Sequence, residues 1–298
     1  MPRVLLIIVT YQAEQWLATC MGAVRALQPR VDLAVVDNAS TDATRALLQA
    51  YAPFITYYYP LKSNVGFGKA HNLVFSQPTL ANYDYVFLLN QDAYLDRSAL
   101  DRLIELADAH PHYGVISPVH YRSAEELDIR FASYLAGDQD APLVEVTMAN
   151  AALWLLRRAV IDDIGYFNPI FPHYGEDVNY LARLRQAGYR VGVAPQVRGY
   201  HYRPATPLTP RLDQSPYQFW VIGLLRFVDP DKSTLTALRQ TLYDYFRLLG
   251  TLLLRGRLRD IWQHGRYLLR TLADLPRYPS YRKLRIFTTG VDHSVLPA

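Results

Sequence analysis

Four carboxylates in this chain stand where an acid can do chemistry: Asp37, Asp92 and the adjacent pair Glu176-Asp177. Asp92 closes the stretch Tyr85-Val86-Phe87-Leu88-Leu89-Asn90-Gln91-Asp92. Val86 to Leu89 is an unbroken apolar run without period-2 alternation, the pattern of a strand covered on both faces. In an open α/β sheet, ligands bind outside the carboxyl ends of the strands. Asp92 is thus delivered to a ligand edge. Asp96 and Ser98 are placed to cap the helix that follows, which leaves Asp92 without a structural task. Asp37 ends a second apolar run, Leu33 to Val36, in the same way. Glu176 and Asp177 open a helix. There they favour the positive end of its dipole, and only one of them can face a given site because adjacent helical side chains diverge by about 100°.

The elements that position these acids alternate. Strands are expected at Arg3–Thr10, Leu33–Val36, Ile55–Tyr59 and Val86–Leu89, and helices at Ala13–Leu27, Ala43–Tyr51 and Lys69–Ser76, with another marked by Leu100, Leu103, Ile104 and Ala107. Ser40, Thr41 and Asp42 offer N-caps for the second helix. This order predicts an α/β fold, a doubly wound and mostly parallel sheet with helices on both faces. Beyond Pro111 the alternation weakens. Strands are expected at Val115–Val119 and Leu143–Met148, and residues 122–142 are polar and turn-rich, suited to a flap that shapes an acceptor site. Ala151–Leu156 is apolar, Arg158–Ile164 a short helix, and Asp177–Ala187 a helix stopped by Gly188, with Tyr189 placed for a Schellman contact. Short strands follow at Arg190–Ala194 and Val197–Tyr200. Pro204, Pro207 and Pro210 read as a linker, and from Tyr217 onward the pattern is helical.

Half of the 298 residues are apolar, enough for a sizeable core. The single cysteine, Cys20, excludes an internal disulfide and a thiolate metal cluster, and falls on an apolar helix face with Trp16, Val24 and Leu27. The N-terminus has no signal-peptide pattern and no run reaches the roughly 18 apolar residues of a membrane span, so a cytoplasmic protein is expected. The formal charge of +4 is uneven. Residues 211–298 carry 14 Lys+Arg against 7 Asp+Glu, and residues 1–210 carry 17 against 20. We therefore expect a catalytic domain over 1–210 and a basic, aromatic-rich helical region over 211–298 that meets something anionic.

The set of motifs resembles family-2 inverting glycosyltransferases of the GT-A fold, rhamnosyltransferases among them. Val9-Thr10-Tyr11-Gln12 is similar to the opening strand motif, with Gln12 where Asn is usual. Val35-Val36-Asp37-Asn38-Ala39-Ser40-Thr41-Asp42 resembles the second, and Asn64-Val65-Gly66-Phe67-Gly68 with Asn72 the third. Leu88-Leu89-Asn90-Gln91-Asp92 stands where the family carries its Asp-x-Asp motif, with one carboxylate instead of two. Gly165-Tyr166-Phe167-Asn168, Phe171, Tyr174, Glu176-Asp177-Val178-Asn179, Arg183 and Gly188-Tyr189 resemble the acceptor-side block, with Asn179 where an acid is common. His201 falls at a metal-binding position. The resemblance covers about residues 3–203.

It implies a donor pocket made by Thr10, Tyr11, Asp37, Asn64, Gly66, Lys69, Asn90, Gln91 and Asp92. Asp37 would accept from a pyrimidine N–H, Tyr11 would lie against base or ribose, Gly66 would let backbone approach the nucleoside, and Lys69 would meet phosphate. Asp92 and His201 would hold Mg²⁺ or Mn²⁺ with the diphosphate of a UDP- or TDP-linked sugar. Asp177 would serve as general base toward a glycan or lipid-linked glycan acceptor, with Glu176 orienting the acceptor or capping the helix. The competing class is a catalytically silent nucleotide-sugar-binding or assembly protein, which has no reason to hold both Asp177 and His201. A nucleotidyltransferase wants a glycine-rich basic loop after the first strand, and Thr10-Tyr11-Gln12-Ala13-Glu14 is not one. Nucleic acid is a poor partner, since the basic tail carries no recognition motif. The tail admits two readings: an interfacial helix touching the inner face of the cell membrane, or packing against the catalytic domain or a second subunit. A homodimer stays open.

Overall fold

The computed structural model describes residues 1–134, 141–202 and 215–296. Its strands are β1 (Val4–Thr10), β2 (Val31–Asp37), β3 (Tyr57–Pro60), β4 (Tyr85–Asn90), β5 (Ala93–Tyr94), β6 (Tyr113–Tyr121), β7 (Val144–Glu145), β8 (Leu153–Arg157) and β9 (Arg190–His201). They form one sheet in the order β3-β2-β1-β4-β8-β6-β9-β5, with β7 paired to β9. β3, β2, β1 and β4 run parallel, and β8 enters antiparallel between β4 and β6. The α/β sheet expected from the alternation is present, with helices on both faces. The unbroken apolar runs have the anticipated cause. Leu5, Ile7, Val86 and Leu88 face one core layer, and Leu6, Ile8, Phe87 and Leu89 face the other.

Helices α1 (Glu14–Leu27), α2 (Thr44–Ala50), α3 (Phe67–Phe75), α4 (Arg97–Ala109), α5 (Ile129–Tyr134), α6 (Arg158–Ile164) and α7 (Glu176–Gln186) complete the sheet unit. α1 and α4 cover one face through Leu17, Cys20, Val24, Leu100 and Leu103, and α3, α6 and α7 cover the other through Val74, Ile161 and Leu181. Cys20 is buried, as its helix face predicted. The Schellman stop is also present: Tyr189 N donates to Leu184 O at 3.2 Å and Gly188 N to Arg185 O at 3.0 Å.

Several local expectations are corrected. α2 has Ala43 at its N-cap and no side-chain cap. Asp42 instead accepts from Thr44 N (3.1 Å) and Glu14 N (3.2 Å), while Glu14 accepts from Ala43 N (3.0 Å), so the turn is tied sideways to α1. Asp96 sits at the N-cap of α4 without a side-chain bond. Residues 190–201 form one strand, because a register shift absorbs the interruption at Pro195. Of residues 143–148, only Val144–Glu145 form a strand, and Val146 N extends its contact with β9 by donating to Val191 O at 3.0 Å. The polar stretch 122–142 holds α5, and the proline-rich linker lies outside the described residues.

The tail comprises α8 (Pro216–Phe227), α9 (Thr234–Leu254), α10 (Leu258–Ala273) and α11 (Tyr278–Tyr281). α8 starts with a capping box between Ser215 and Gln218. Its Trp220, Val221, Leu224 and Phe227 pack with Phe171 of the sheet unit and with Tyr278. α9 and α10 behave differently. Tyr243, Phe246, Leu253, Leu254, Leu258, Trp262 and Leu269 are all exposed. After α11 the chain returns to the sheet unit as an extended strap: Tyr166 N donates to Ile286 O (2.6 Å), Asn72 Nδ2 to Thr289 O (3.2 Å) and Lys62 N to Val295 O (2.8 Å). No helix of the described residues is long and apolar enough to cross a membrane.

Candidate active site

Register brings the first functional residues together. Thr10 pairs with Asp37 across β1 and β2, and Val9 with Asn90 across β1 and β4, so three strand ends reach one edge. Asp37 is fully buried. It accepts from Thr10 Oγ1 (3.1 Å), Ser40 N (3.3 Å) and Arg45 Nε (2.5 Å). Arg45 also donates to Leu61 O at 2.7 Å, spanning the exits of β2 and β3. A carboxylate offers about four acceptor positions, and three are used here.

The loops above this edge are cross-linked by side-chain amides. Gln91 clamps the Tyr11 backbone in both directions, accepting from Tyr11 N (2.7 Å) and donating to Tyr11 O (3.1 Å). Gln12 accepts from Thr41 N (2.8 Å) and Asp42 N (3.2 Å). Asn38 accepts from Val65 N (2.8 Å) and donates to Asn64 Oδ1 (2.9 Å), and the same Asn64 oxygen accepts from Gly66 N (2.9 Å). The Tyr11 side chain is left at the mouth, where the residue is 44% exposed.

Asp92 and His201 meet because β5 pairs antiparallel with β9, opposing Ala93 to His201. Tyr202 N donates to Asp92 O at 2.9 Å and fixes that corner. The Asp92 Oδ1 to His201 Nε2 distance is 3.3 Å, and Asn90 Nδ2 lies 3.4 Å from the same nitrogen. His201 is 3% exposed. Two ligands at neighbouring corners of an octahedron with bonds of about 2.1 Å stand about 3 Å apart, so this pair fits the bite of a divalent cation. The described residues contain no group of three or more His, Cys, Asp or Glu side chains suited to a metal. Mg²⁺ beside phosphates is commonly held by one or two carboxylates, with water and substrate oxygens as its other ligands.

Across the edge, the chain makes a strained turn. Tyr174 (φ 66°) and Gly175 (φ 89°) are both left-handed, and α7 starts at the next residue. A Cβ on Gly175 would come within 2.9 Å of Val221, so α8 buttresses the turn. A Cβ on Gly66 would lie 2.0 Å from Pro172 O. The close approach that requires glycine there is to the Pro172 carbonyl, in the loop ahead of α7. Lys69 is half-buried, its Cε beside Gly290 of the C-terminal strap, and burial lowers the pKa of its amine.

The turn gives its two acids different environments. Glu176 is 4% exposed, faces Gly68, and has one carboxylate oxygen, Oε2, without a hydrogen bond among the described residues. Burial, and secondarily the neighbouring Asp177, pushes its carboxyl up to about 7. Asp177 is half-exposed and accepts from Val178 N at 2.8 Å. This has a consequence for stability. A carboxyl that titrates near 7 when folded and at 4.5 otherwise binds its proton more tightly in the folded state. Its stabilising contribution is complete below the unfolded value and is lost as pH rises through the folded one. Glu176→Gln should remove that slope, gaining about 2–3 kcal/mol over wild type at pH 8 relative to pH 4. Urea unfolding of both proteins at the two pH values checks it, and parallel pH profiles would contradict it.

Arg45 and Tyr217 belong to this region and were not singled out from sequence. Tyr217 Oη donates to His173 O (2.6 Å), tying α8 to the turn ahead of α7. Nothing local announces either contact, since Arg45 lies eight residues from Asp37 and Tyr217 forty-four from His173.

A largely parallel sheet with helices on both faces and acids gathered at one loop-covered edge is a GT-A-type glycosyltransferase architecture. S. aureus TarS 1-349, solved with UDP-GlcNAc, superposes with a TM-score of 0.59 at 20% identity, over 94% of this chain and 83% of that one. Mannosyltransferase PcManGT from Pyrobaculum calidifontis, solved with GDP-Man and Mn²⁺, gives 0.58 at 17% identity, over 92% and 87%. The profile of Glycosyl transferase family 2 matches residues 5–165, and the chain belongs to that family. O-antigen chain rhamnosyltransferase WbaN of Salmonella anatum is 25% identical over 221 residues, which cover 70% of this chain and 68% of that protein.

Proposed function

We propose that this glycosyltransferase moves a sugar, with inversion, from a UDP- or TDP-linked donor to a hydroxyl of a glycan or lipid-linked glycan. The observation that carries the reading is the convergence of Asp92 and His201, 3.3 Å apart, on the edge faced by the acid-bearing turn of α7. The donor nucleotide lies against Tyr11 and the Asn64–Gly66 loop. Asp37 reads the base once Arg45 swings away, because Arg45 now covers the carboxylate. Asn90 and Gln91 hold the floor, and Lys69 reaches the diphosphate only by leaving the strap. Asp92 and His201 are the residues that would hold Mg²⁺ or Mn²⁺, which supplies positive charge to the departing diphosphate. Asp177 accepts the proton of the acceptor hydroxyl while the oxygen bonds to the anomeric carbon. The carbon–phosphate-oxygen bond breaks, and its electron pair leaves with the nucleoside diphosphate. A second reading makes Glu176 the base, favoured by its burial, its unpartnered oxygen and a carboxyl near 7.

The deciding assay is donor hydrolysis and transfer across a nucleotide-sugar panel with Mn²⁺ and with EDTA. Wild type should turn over at least one UDP- or TDP-sugar. Asp92→Asn should weaken cation-dependent donor binding by at least about tenfold, partly restored by excess Mn²⁺. Turnover of no donor under any condition would favour the catalytically silent binder.

We also propose peripheral contact with the inner face of the cell membrane through α9 and α10. Their exposed Tyr243, Phe246, Leu254, Leu258 and Trp262 alternate with arginines, the composition of an interfacial helix. The protein should sediment with vesicles containing phosphatidylglycerol at low salt and detach as salt rises. Leu254→Glu with Leu258→Glu should abolish sedimentation. Unchanged sedimentation would refute this contact. Point substitutions suit the test because truncating the tail would also remove the strap that threads the sheet unit.

A further inference from the structure

The groove between α8 and α10 contains a cavity of about 530 Å³, lined by Tyr217, Trp262, Gln263, Arg266, Tyr267 and Arg270 among others. Its two arginines differ from several others in the tail. Arg226 and Arg247 pair with Asp244, Arg257 with Asp260 and Arg277 with Asp274. Among the described residues, no carboxylate pairs with Arg266 or Arg270. Both guanidinium groups lie over aromatic rings instead, Arg266 over Trp262 at 4.8 Å and Arg270 over Trp220 at 4.1 Å. A guanidinium held by its face keeps its N–H edge free for a planar or tetrahedral anion. The pair stands i, i+4 on one helix, so the two charges are neighbours.

Position gives the cavity its meaning. Tyr217 lines it and also donates to His173 O at 2.6 Å. One turn along α8, Val221 abuts Gly175, the residue that launches Glu176 and Asp177. The cavity therefore shares a wall with the acceptor-side turn. It is separate from the strand ends where Asp92 and His201 would receive the donor diphosphate. Leu258 and Leu269 of the same helix are 70% and 67% exposed and, by helical spacing, fall on the face that carries the cavity-lining Trp262, so the three make an apolar rim.

We propose that this cavity is the anion subsite of the acceptor, in which Arg266 and Arg270 bind a diphosphate ester joining the acceptor sugar to a lipid carrier. The proposal rests on the glycosyltransferase reading and names the substrate class for it. The sugar hydroxyl reaches the acids of α7, the diphosphate sits between the arginines, and the carrier runs along the rim of Leu258, Trp262 and Leu269. Trp262 and Tyr267 supply faces for the ring next to the diphosphate.

The probe is inorganic diphosphate, added to the full chain in EDTA so that cation-dependent capture at Asp92 is removed. Tryptophan fluorescence and calorimetry read binding. Wild type should bind saturably at millimolar or lower concentration. Arg266→Gln with Arg270→Gln should weaken it by about tenfold or more, and Asp92→Asn should leave it as in wild type. Because Arg270 covers Trp220, Arg266→Gln alone is the companion variant, expected to lose several-fold with unfolding temperature preserved. Three results overturn the proposal: no saturable binding by wild type, binding lost in Asp92→Asn but kept in the arginine variants, or arginine variants impaired only in sedimentation with phosphatidylglycerol vesicles. The last would assign the arginines to a bilayer headgroup. Donor turnover by wild type is measured separately. A silent enzyme that still binds diphosphate here fails the transferase reading and not the anion site, and the reverse outcome is equally visible.

Discussion

Asp177→Asn should lower sugar transfer by about 10²–10⁴-fold while leaving donor affinity within twofold of wild type, as expected for loss of a general base. The substitution keeps the shape of the side chain and its acceptor role toward Val178 N, a bond of 2.8 Å that helps start α7. Fold and donor pocket should therefore survive. Glu176→Gln separates the two acids. If Asp177 takes the proton, removing the charge of Glu176 has a mild effect, because Glu176 is buried against Gly68. If Glu176 is the base, the large loss moves to Glu176→Gln, and the wild-type rate should rise with pH to a plateau above about 7, where its carboxyl titrates. A large loss in Asp177→Asn with only a mild one in Glu176→Gln assigns the role to Asp177. Full activity in both variants would remove the acid-bearing turn from the chemistry.

The sequence was most legible where chemistry and fold coincide. Val86–Leu89 is buried on both faces, as its apolar run implied, and ends at the edge where β1, β2 and β4 converge, and Asp37 ends β2 in the same way. Asp92 and His201 lie 109 positions apart, yet the family resemblance paired them and the β5–β9 ladder brings them to 3.3 Å. What stayed illegible depends on contacts with no local signature. The burial of Asp37 under Arg45 follows from how α2 crosses the end of the sheet, which no spacing encodes. The Gly66 motif was visible, but its steric cause is the Pro172 carbonyl, more than a hundred residues away. Residues 282–296 belong to the stretch expected to be helical, but no α-helix forms there; they run as a strap along edges offered by Ile164, Tyr166 and Asn72. The helices of the tail use their apolar residues differently. α8 buries Trp220, Leu224 and Phe227 with Phe171 and Tyr278, whereas α9 and α10 bury Ala237, Leu252 and His264 but expose Tyr243, Phe246, Leu254 and Trp262.

Arg183→Met should cost about 3–5 kcal/mol of stability, a large share of the roughly 5–15 kcal/mol that holds a typical domain folded. Arg183 is fully buried. Its guanidinium donates to Asn179 Oδ1 (3.2 Å), Ile164 O (2.9 Å), Leu284 O (3.1 Å) and Tyr166 O (2.5 Å). Burial lowers its pKa to about 10, so it is still charged near neutrality. Buried ion pairs are often replaced by apolar residues at little cost, because both charges leave together. Arg183 has carbonyl partners instead, and these stay behind when the side chain goes. Methionine fills much of the space and satisfies none of them, and each buried carbonyl left bare costs about 1–3 kcal/mol. Arg183→Lys should recover only part of the loss, since one ammonium cannot reproduce a fork aimed in several directions. The damage should begin at the strap, because Leu284 and Ile286 are held to the sheet unit by Arg183 and by the backbone bonds of Ile164 and Tyr166. Hydrogen exchange at Ile286 should therefore accelerate more than exchange within β1, and the urea midpoint should fall. If Arg183→Met unfolds within 1 kcal/mol of wild type and Ile286 exchanges at the wild-type rate, the strap is held by its own backbone pairing with Ile164 and Tyr166, and Arg183 is only a passenger in the core.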